Sequence, residues 1–165
     1  MNASPTQAIG CLALLTLFLG CGGGSGSTPS VRASLQPILD AERLTLYSIY
    51  STEKTPRSEW PKTEESFHRY PVLRKVDVSD RAARVAIAEA LEEGIRKGQH
   101  PAKCFDPHHA LRAEREGESV DYVICFSCDQ IYVYAQGEHH MEVVSEEPRP
   151  LLDKYLKAAE EEPGE

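Results

Sequence analysis

The chain has 165 residues, 41% of them hydrophobic and 27% charged, with 18 Lys plus Arg against 26 Asp plus Glu for a formal net charge of −8. Its length and make-up are those of one globular domain, and collagen-like or long coiled-coil repeats are excluded. The acidic balance, with no long basic run, excludes the electrostatic footprint of a nucleic-acid binder.

The first charged side chain is Arg32. Before it, Ala8 to Leu19 reads AIGCLALLTLFL, with Thr16 the one clearly polar residue. As a helix this run spans roughly 18 Å, short of a hydrocarbon core of about 30 Å, but it has the length of a secretory signal's apolar region. The run ends at Phe18-Leu19-Gly20-Cys21, then GGGSGS. This segment resembles the bacterial lipoprotein signal. The resemblance implies cleavage before Cys21, a diacylglycerol on its thiol and a palmitate-type acyl chain on its new amine. Each buried CH₂ contributes ~0.8 kcal/mol, so several chains anchor a protein stably where one does not. An ordinary secretory signal with an incidental Cys21 is the competing reading. Cys11 closes a similar AIGC, but only ten residues precede it. Gly22 stands where inner-membrane retention favours Asp, which points toward the outer membrane. Residues 1–20 are therefore read as a signal peptide and 21–34 as a lipidated cysteine with a flexible Gly/Ser tether of roughly 20 Å reach. Residues 35–160 are read as a single α+β domain and 161–165 as a disordered acidic tail.

Within the domain, Leu35 onward opens with a short helical turn. Arg43 to Tyr50 alternates as a strand covered on both sides, with Leu44 and Leu46 on one face and Tyr47 and Ile49 on the other. Thr52 to Ser66 carries two prolines and many charges and reads as a surface loop pinned by Trp60. Tyr70 to Val78 is a second strand, with Val72, Val76 and Val78 expected on one face. A helix follows from an N-cap at Ser79 to Arg96-Lys97-Gly98, its stripe Ala83, Ile87, Leu91 and Ile95 facing the core and Gly94 packing against a sheet. Ala110 to Arg115 and Val120 to Phe126 make a hairpin through Glu116-Gly117-Glu118. Ile131 to Ala135, a turn at Gln136-Gly137 and a short edge strand at Met141 to Val144 come next. Pro150 to Glu160 is a terminal amphipathic helix. The expected fold is a small antiparallel sheet packed with two helices, in the order β-β-α-β-β-β-α.

Chemistry concentrates between Cys104 and Cys128. Cys104-Phe105-Asp106-Pro107-His108-His109 precedes the hairpin, and Cys125-Phe126-Ser127-Cys128 closes it. These segments, with Leu46-Tyr47-Ser48 and Phe67-His68-Arg69-Tyr70, resemble an uncharacterised bacterial family that pairs C-F-x-P-x-H with V-I-C-F-x-C. The resemblance implies a family and no activity. It matches His109 to the family histidine, with His108 at a basic position and Ala110 at a glycine.

Because a hairpin returns its far end beside its start, Cys104, His109, Cys125 and Cys128 are expected to meet. Three thiolates and an imidazole are a normal tetrahedral zinc set, with His108 as alternative ligand. In a regular strand Cys125 and Cys128 would face opposite sides, so shared ligation requires a turn near Phe126. A structural disulfide, natural in an exported protein, and simple packing are the competing readings. Thioredoxin-type chemistry is disfavoured, since CFSC lies between strands and not at a helix start. His139 and His140 alternate faces and do not chelate together; they read as a solvated turn. Asp121 is expected to pair with Arg112 across the hairpin.

The expected function is a lipid-anchored cell-envelope protein, a non-enzymatic binding or interaction module whose Cys/His cluster is structural or metal-binding. The alternative is a thiol- or metal-dependent envelope enzyme. Expected partners are the membrane, through the lipid, and a protein or small molecule that the sequence does not name.

Overall fold

The computed structural model describes residues 31–51 and 55–161. In chain order these form α1 (Val31–Asp40), β1 (Arg43–Ile49), a 3₁₀ turn (Arg57–Glu59), β2 (Ser66–Phe67), β3 (Tyr70–Asp77) and α2 (Arg81–Lys97). Then come β4 (His109–Arg115), β5 (Glu118–Cys125), a 3₁₀ turn (Phe126–Cys128), β6 (Gln130–Ala135), β7 (Glu138–Val143) and α3 (Arg149–Glu161). The strands make one sheet in the order β2-β3-β1-β4-β5-β6-β7, and every pair is antiparallel. The α+β class holds, but the order of five strands and two helices does not. Among the described residues there are seven strands and three helices.

Each difference has a local cause. The first helix begins at Val31, inside the stretch read as tether. Ser and Pro weaken its intrinsic propensity, yet Leu35 and Ile38 are buried against the sheet, and such packing supplies most helical stability. The Tyr122 hydroxyl also donates to the Ser34 carbonyl at 2.7 Å. With two residues, β2 is too short to show a period. At β7 the polar run Glu138-His139-His140 is a strand and not a turn, because the tight turn before it sets the pairing. Gln136 and Gly137 both have positive φ, 51° and 81°, which suits a two-residue hairpin. Glu116 and Gly117 do the same between β4 and β5, with φ of 52° and 82°.

On β3 one residue is extra. Ser48 opposes Arg74 and Ile49 opposes Val72, leaving Leu73 unpaired as a bulge and 51% exposed. The bulge reverses the alternation. Val72 therefore joins Ile49 on one face while Val76 packs on the other, so the expected common face of Val72, Val76 and Val78 is broken.

All three helices lie on one face of the sheet. Leu35 and Ile38 of α1, Ile87 and Leu91 of α2, and Leu152 and Leu156 of α3 bury against Leu44, Leu46, Leu111, Tyr122 and Ile131. The cap of α2 is Asp80 rather than Ser79; its carboxylate accepts from the Ala82 and Ala83 amides at 3.2 and 3.1 Å. Gly94 packs against the segment after β7 and not against the sheet. A Cβ there would sit 2.6 Å from Pro148 Cγ.

The opposite face carries its own cluster, built from Tyr47, Ile49, Phe67, Tyr70, Val72, Ala110 and Val123. No described helix covers it. Instead the β2–β3 turn arches over it. Phe67 lies 4.6 Å from Tyr47 between ring centroids, and the Arg112 guanidinium sits 5.0 Å from the Phe67 ring centre.

Candidate functional site

The site lies on this helix-free face and has two neighbouring parts, a sulfur corner and an aromatic cleft. At the corner, β5 ends at Cys125 and the 3₁₀ turn Phe126–Cys128 supplies the break in the strand that brings both cysteines to one side. Asp129 completes it in the left-handed region at φ 55°, a conformation Asp tolerates better than most residues. Cys125 and Cys128 form a disulfide, with Cα atoms 5.2 Å apart. Cys104 is a free, exposed thiol, and its sulfur lies 3.8 Å from that of Cys128. The segment bearing it is tied down on both sides. The Ala102 amide donates to the Cys128 carbonyl at 2.9 Å, and the buried Gln130 side-chain amide donates to the carbonyls of Ala102 and Cys104. The Asp106 amide points at both disulfide sulfurs, 3.3 Å from Cys125 and 3.2 Å from Cys128.

His109 does not join them. It pairs with Ile124 in the β4–β5 register and so takes the helix face, one residue out of phase with Cys125. There it is 6% exposed, its ring 5.2 Å from that of Phe126 and its Nε2 2.7 Å from Asp153 Oδ1 on α3. Burial pulls its pKa below the ordinary value, and the Asp153 hydrogen bond opposes that only in part. His108 is exposed, with Nε2 3.9 Å from Asp106 Oδ2. The expected Cys₃His zinc set is thus not assembled. Two of its sulfurs are bonded to each other and its histidine faces away. Among the described residues no group of three or more His, Cys, Asp or Glu is placed to hold a metal ion. Cys21 lies outside the described residues.

Beside the corner, His68, Arg69, Tyr70, Phe105, Tyr132 and Tyr134 line a cleft of about 490 Å³, within the range of small-molecule sites, ~300–1,000 Å³. Phe105 follows Cys104 and packs edge-on against Tyr132 at 4.7 Å, so one short segment joins the two parts. His68 sits 4.3 Å from Tyr134, and Tyr134 stacks on His139 at 5.3 Å. His139 therefore faces this surface, while its neighbour His140 turns to Glu142 at 3.2 Å.

Beneath the cleft is a buried charge. Asp121, 6% exposed, takes a bidentate pair from Arg112 at 2.7 Å each, as its place across the hairpin implies. It also meets His68 Nε2 at 3.0 Å. The hydrogen bonds to Asp121 raise the Arg112 pKa further and hold it charged.

A second hollow, along α3, is lined mainly by charged side chains of one helix, among them Arg149, Asp153, Lys154 and Lys157. It lacks the convergent rings and buried anchor of the aromatic cleft.

Sequence reasoning missed the cleft. Its signal was present in Tyr132 and Tyr134, two apart on one strand and therefore on one face. The contribution of Phe67-His68 could not be read, because it depends on a turn that crosses three strands. Trp60 organises its own loop, donating to the Thr55 carbonyl at 2.9 Å. No family model, curated protein or solved structure compared with the chain matches it.

Proposed function

We propose that the protein is a lipid-anchored cell-envelope binding module, tethered through Cys21, that holds a ligand with a flat apolar face in the aromatic cleft. The observation carrying this reading is the cleft itself. Half-buried rings of Phe105, Tyr132 and Tyr134 converge with His68 on a sheet face that no described helix covers. Ring faces offer dispersion and stacking contact at low cost in side-chain entropy, and the tyrosine hydroxyls and imidazoles supply donors that orient a ligand. The base is well held, since Tyr132 and Tyr134 stand on β6, a strand paired on both sides, and Asp121 fixes His68 from below.

The anchor belongs to the same reading. Among the described residues no helix is long and apolar enough to cross a membrane. The domain's first described element begins at Val31, ten residues beyond Cys21.

Titration with a flat aromatic probe, anilinonaphthalene sulfonate, tests the cleft. Saturable fluorescence should appear with the intact protein and weaken at least about tenfold in Tyr134→Ala, a loss of ~1.4 kcal/mol. Leu73→Ala, at an exposed apolar residue outside the cleft, should leave it unchanged. Equal binding by intact protein and Tyr134→Ala would refute the site.

A further inference from the structure

Three sulfur atoms meet at the end of the β5–β6 hairpin, and two of them are bonded. The third belongs to an exposed residue, while Cys125 and Cys128 are each 1% exposed. The Cys104 sulfur is 3.8 Å from Cys128, van der Waals contact for two sulfurs. Around the bonded pair stand hydrogen-bond donors. The Asp106 amide reaches both atoms, at 3.3 and 3.2 Å, and the Ser127 hydroxyl is 3.5 Å from Cys125.

We propose that Cys104 exchanges with the Cys125–Cys128 disulfide, so that the corner holds two interconvertible bridges. Cys104 gives its proton to solvent, and its thiolate attacks the Cys128 sulfur. The Cys104–Cys128 bond forms as the Cys125–Cys128 bond breaks. The electron pair passes to the Cys125 sulfur, which the Asp106 amide and the Ser127 hydroxyl stabilise until it takes a proton from solvent. One disulfide and one thiol enter and leave the step, so nothing is oxidised or reduced overall. The exchange moves the free thiol from an exposed position to a buried one. In an oxidising compartment that difference decides whether the thiol can bond to another molecule. Attack at Cys128 rather than Cys125 follows from the contact distance. The proposal does not depend on a ligand in the cleft.

The test uses the oxidised full chain, held at about pH 8, near the ordinary thiol pKa of about 8.5. Samples are quenched in acid, denatured, alkylated and cut with trypsin and chymotrypsin. Cleavage after Phe126 separates Cys125 from Cys128, so each label is assigned to one residue. Label should appear on Cys104 and on Cys125, the latter at no less than about a tenth of the former. That ratio corresponds to a difference of ~1.4 kcal/mol between the two bridges. Cys104→Ser, an exposed substitution, should remove the Cys125 label. Label confined to Cys104 would overturn the proposal. So would label on Cys128 in place of Cys125, or Cys125 label that persists undiminished in Cys104→Ser.

Discussion

Asp121 shows how one side chain can organise a surface. An isolated carboxylate in a strand with buried neighbours would be costly, but here a bidentate guanidinium and an imidazole satisfy both of its oxygens. Asp121→Asn keeps the shape and removes the charge. It should destabilise the fold by about 1.5–3 kcal/mol in urea unfolding, the range for hydrogen bonds to charged groups. A change below about 0.5 kcal/mol would mean that Arg112 and His68 are held by other contacts. His109 makes a pH prediction on the opposite face. Its folded pKa lies below the ordinary 6.5 because it is buried; Asp153 at 2.7 Å opposes the shift, while the charges of Arg149 and His108 add to it. Above 6.5 the ring is neutral in both states. As pH falls below that value the unfolded chain takes up a proton that the folded chain refuses, so stability falls. His109→Gln should flatten the decline between about pH 6.5 and the lower folded pKa, measured by unfolding at a series of pH values. An unchanged slope would assign the decline to other groups.

At the scale of elements, the strongest sequence patterns survive into the structure. Ala83, Ile87 and Leu91 of the α2 stripe are buried as their spacing requires, Ile95 packs partly buried against the same core, and Leu91 is fully inaccessible. Leu91→Ala should cost ~2–5 kcal/mol, the range for a large-to-small change in a packed core. The hairpin turns make a complementary case. Gly117 has φ +82° and open space around its missing Cβ, so Gly117→Ala meets no clash and pays only for left-handed backbone, ~1–2 kcal/mol. A neutral effect in thermal unfolding would mean that the turn rearranges.

What the sequence hid was what local periodicity does not encode. The extra residue at Leu73 inverts one strand's faces, and two residues suffice for β2. Burial of Leu35 and Ile38 extends α1 into a stretch that composition marks as tether. The candidate site followed the same division. The hairpin that brings Cys104 beside Cys128 was legible from its turn. The side taken by His109 was not, because the metal reading assumed convergence where strand alternation separates it from Cys125. The cleft was hidden because its rings come from three separate segments, β6, the β2–β3 turn with the start of β3, and the loop before β4.

For the molecule as a whole, the helices form a closed back and the opposite sheet face a front that carries the rings and sulfurs. A sheet face that no described helix covers is a natural platform for a partner when its exposed part is aromatic and firmly based. In the proposed arrangement the nine residues Gly22–Ser30 would separate this domain from the lipidated cysteine, and Gly/Ser-rich chains of that length have an r.m.s. reach of roughly 15–18 Å. Such a reach would clear the head groups while keeping the domain at the membrane. The acidic net charge of −8 would add repulsion from anionic lipid rather than attraction, so retention would rest on acyl chains alone. Metabolic labelling with an alkyne palmitate, followed by membrane fractionation, tests this claim most directly. The intact chain should carry label and sediment with membranes, and Cys21→Ser should lose the label and move to the soluble fraction. Label retained by Cys21→Ser, or an unlabelled intact chain that is wholly soluble, would contradict the account.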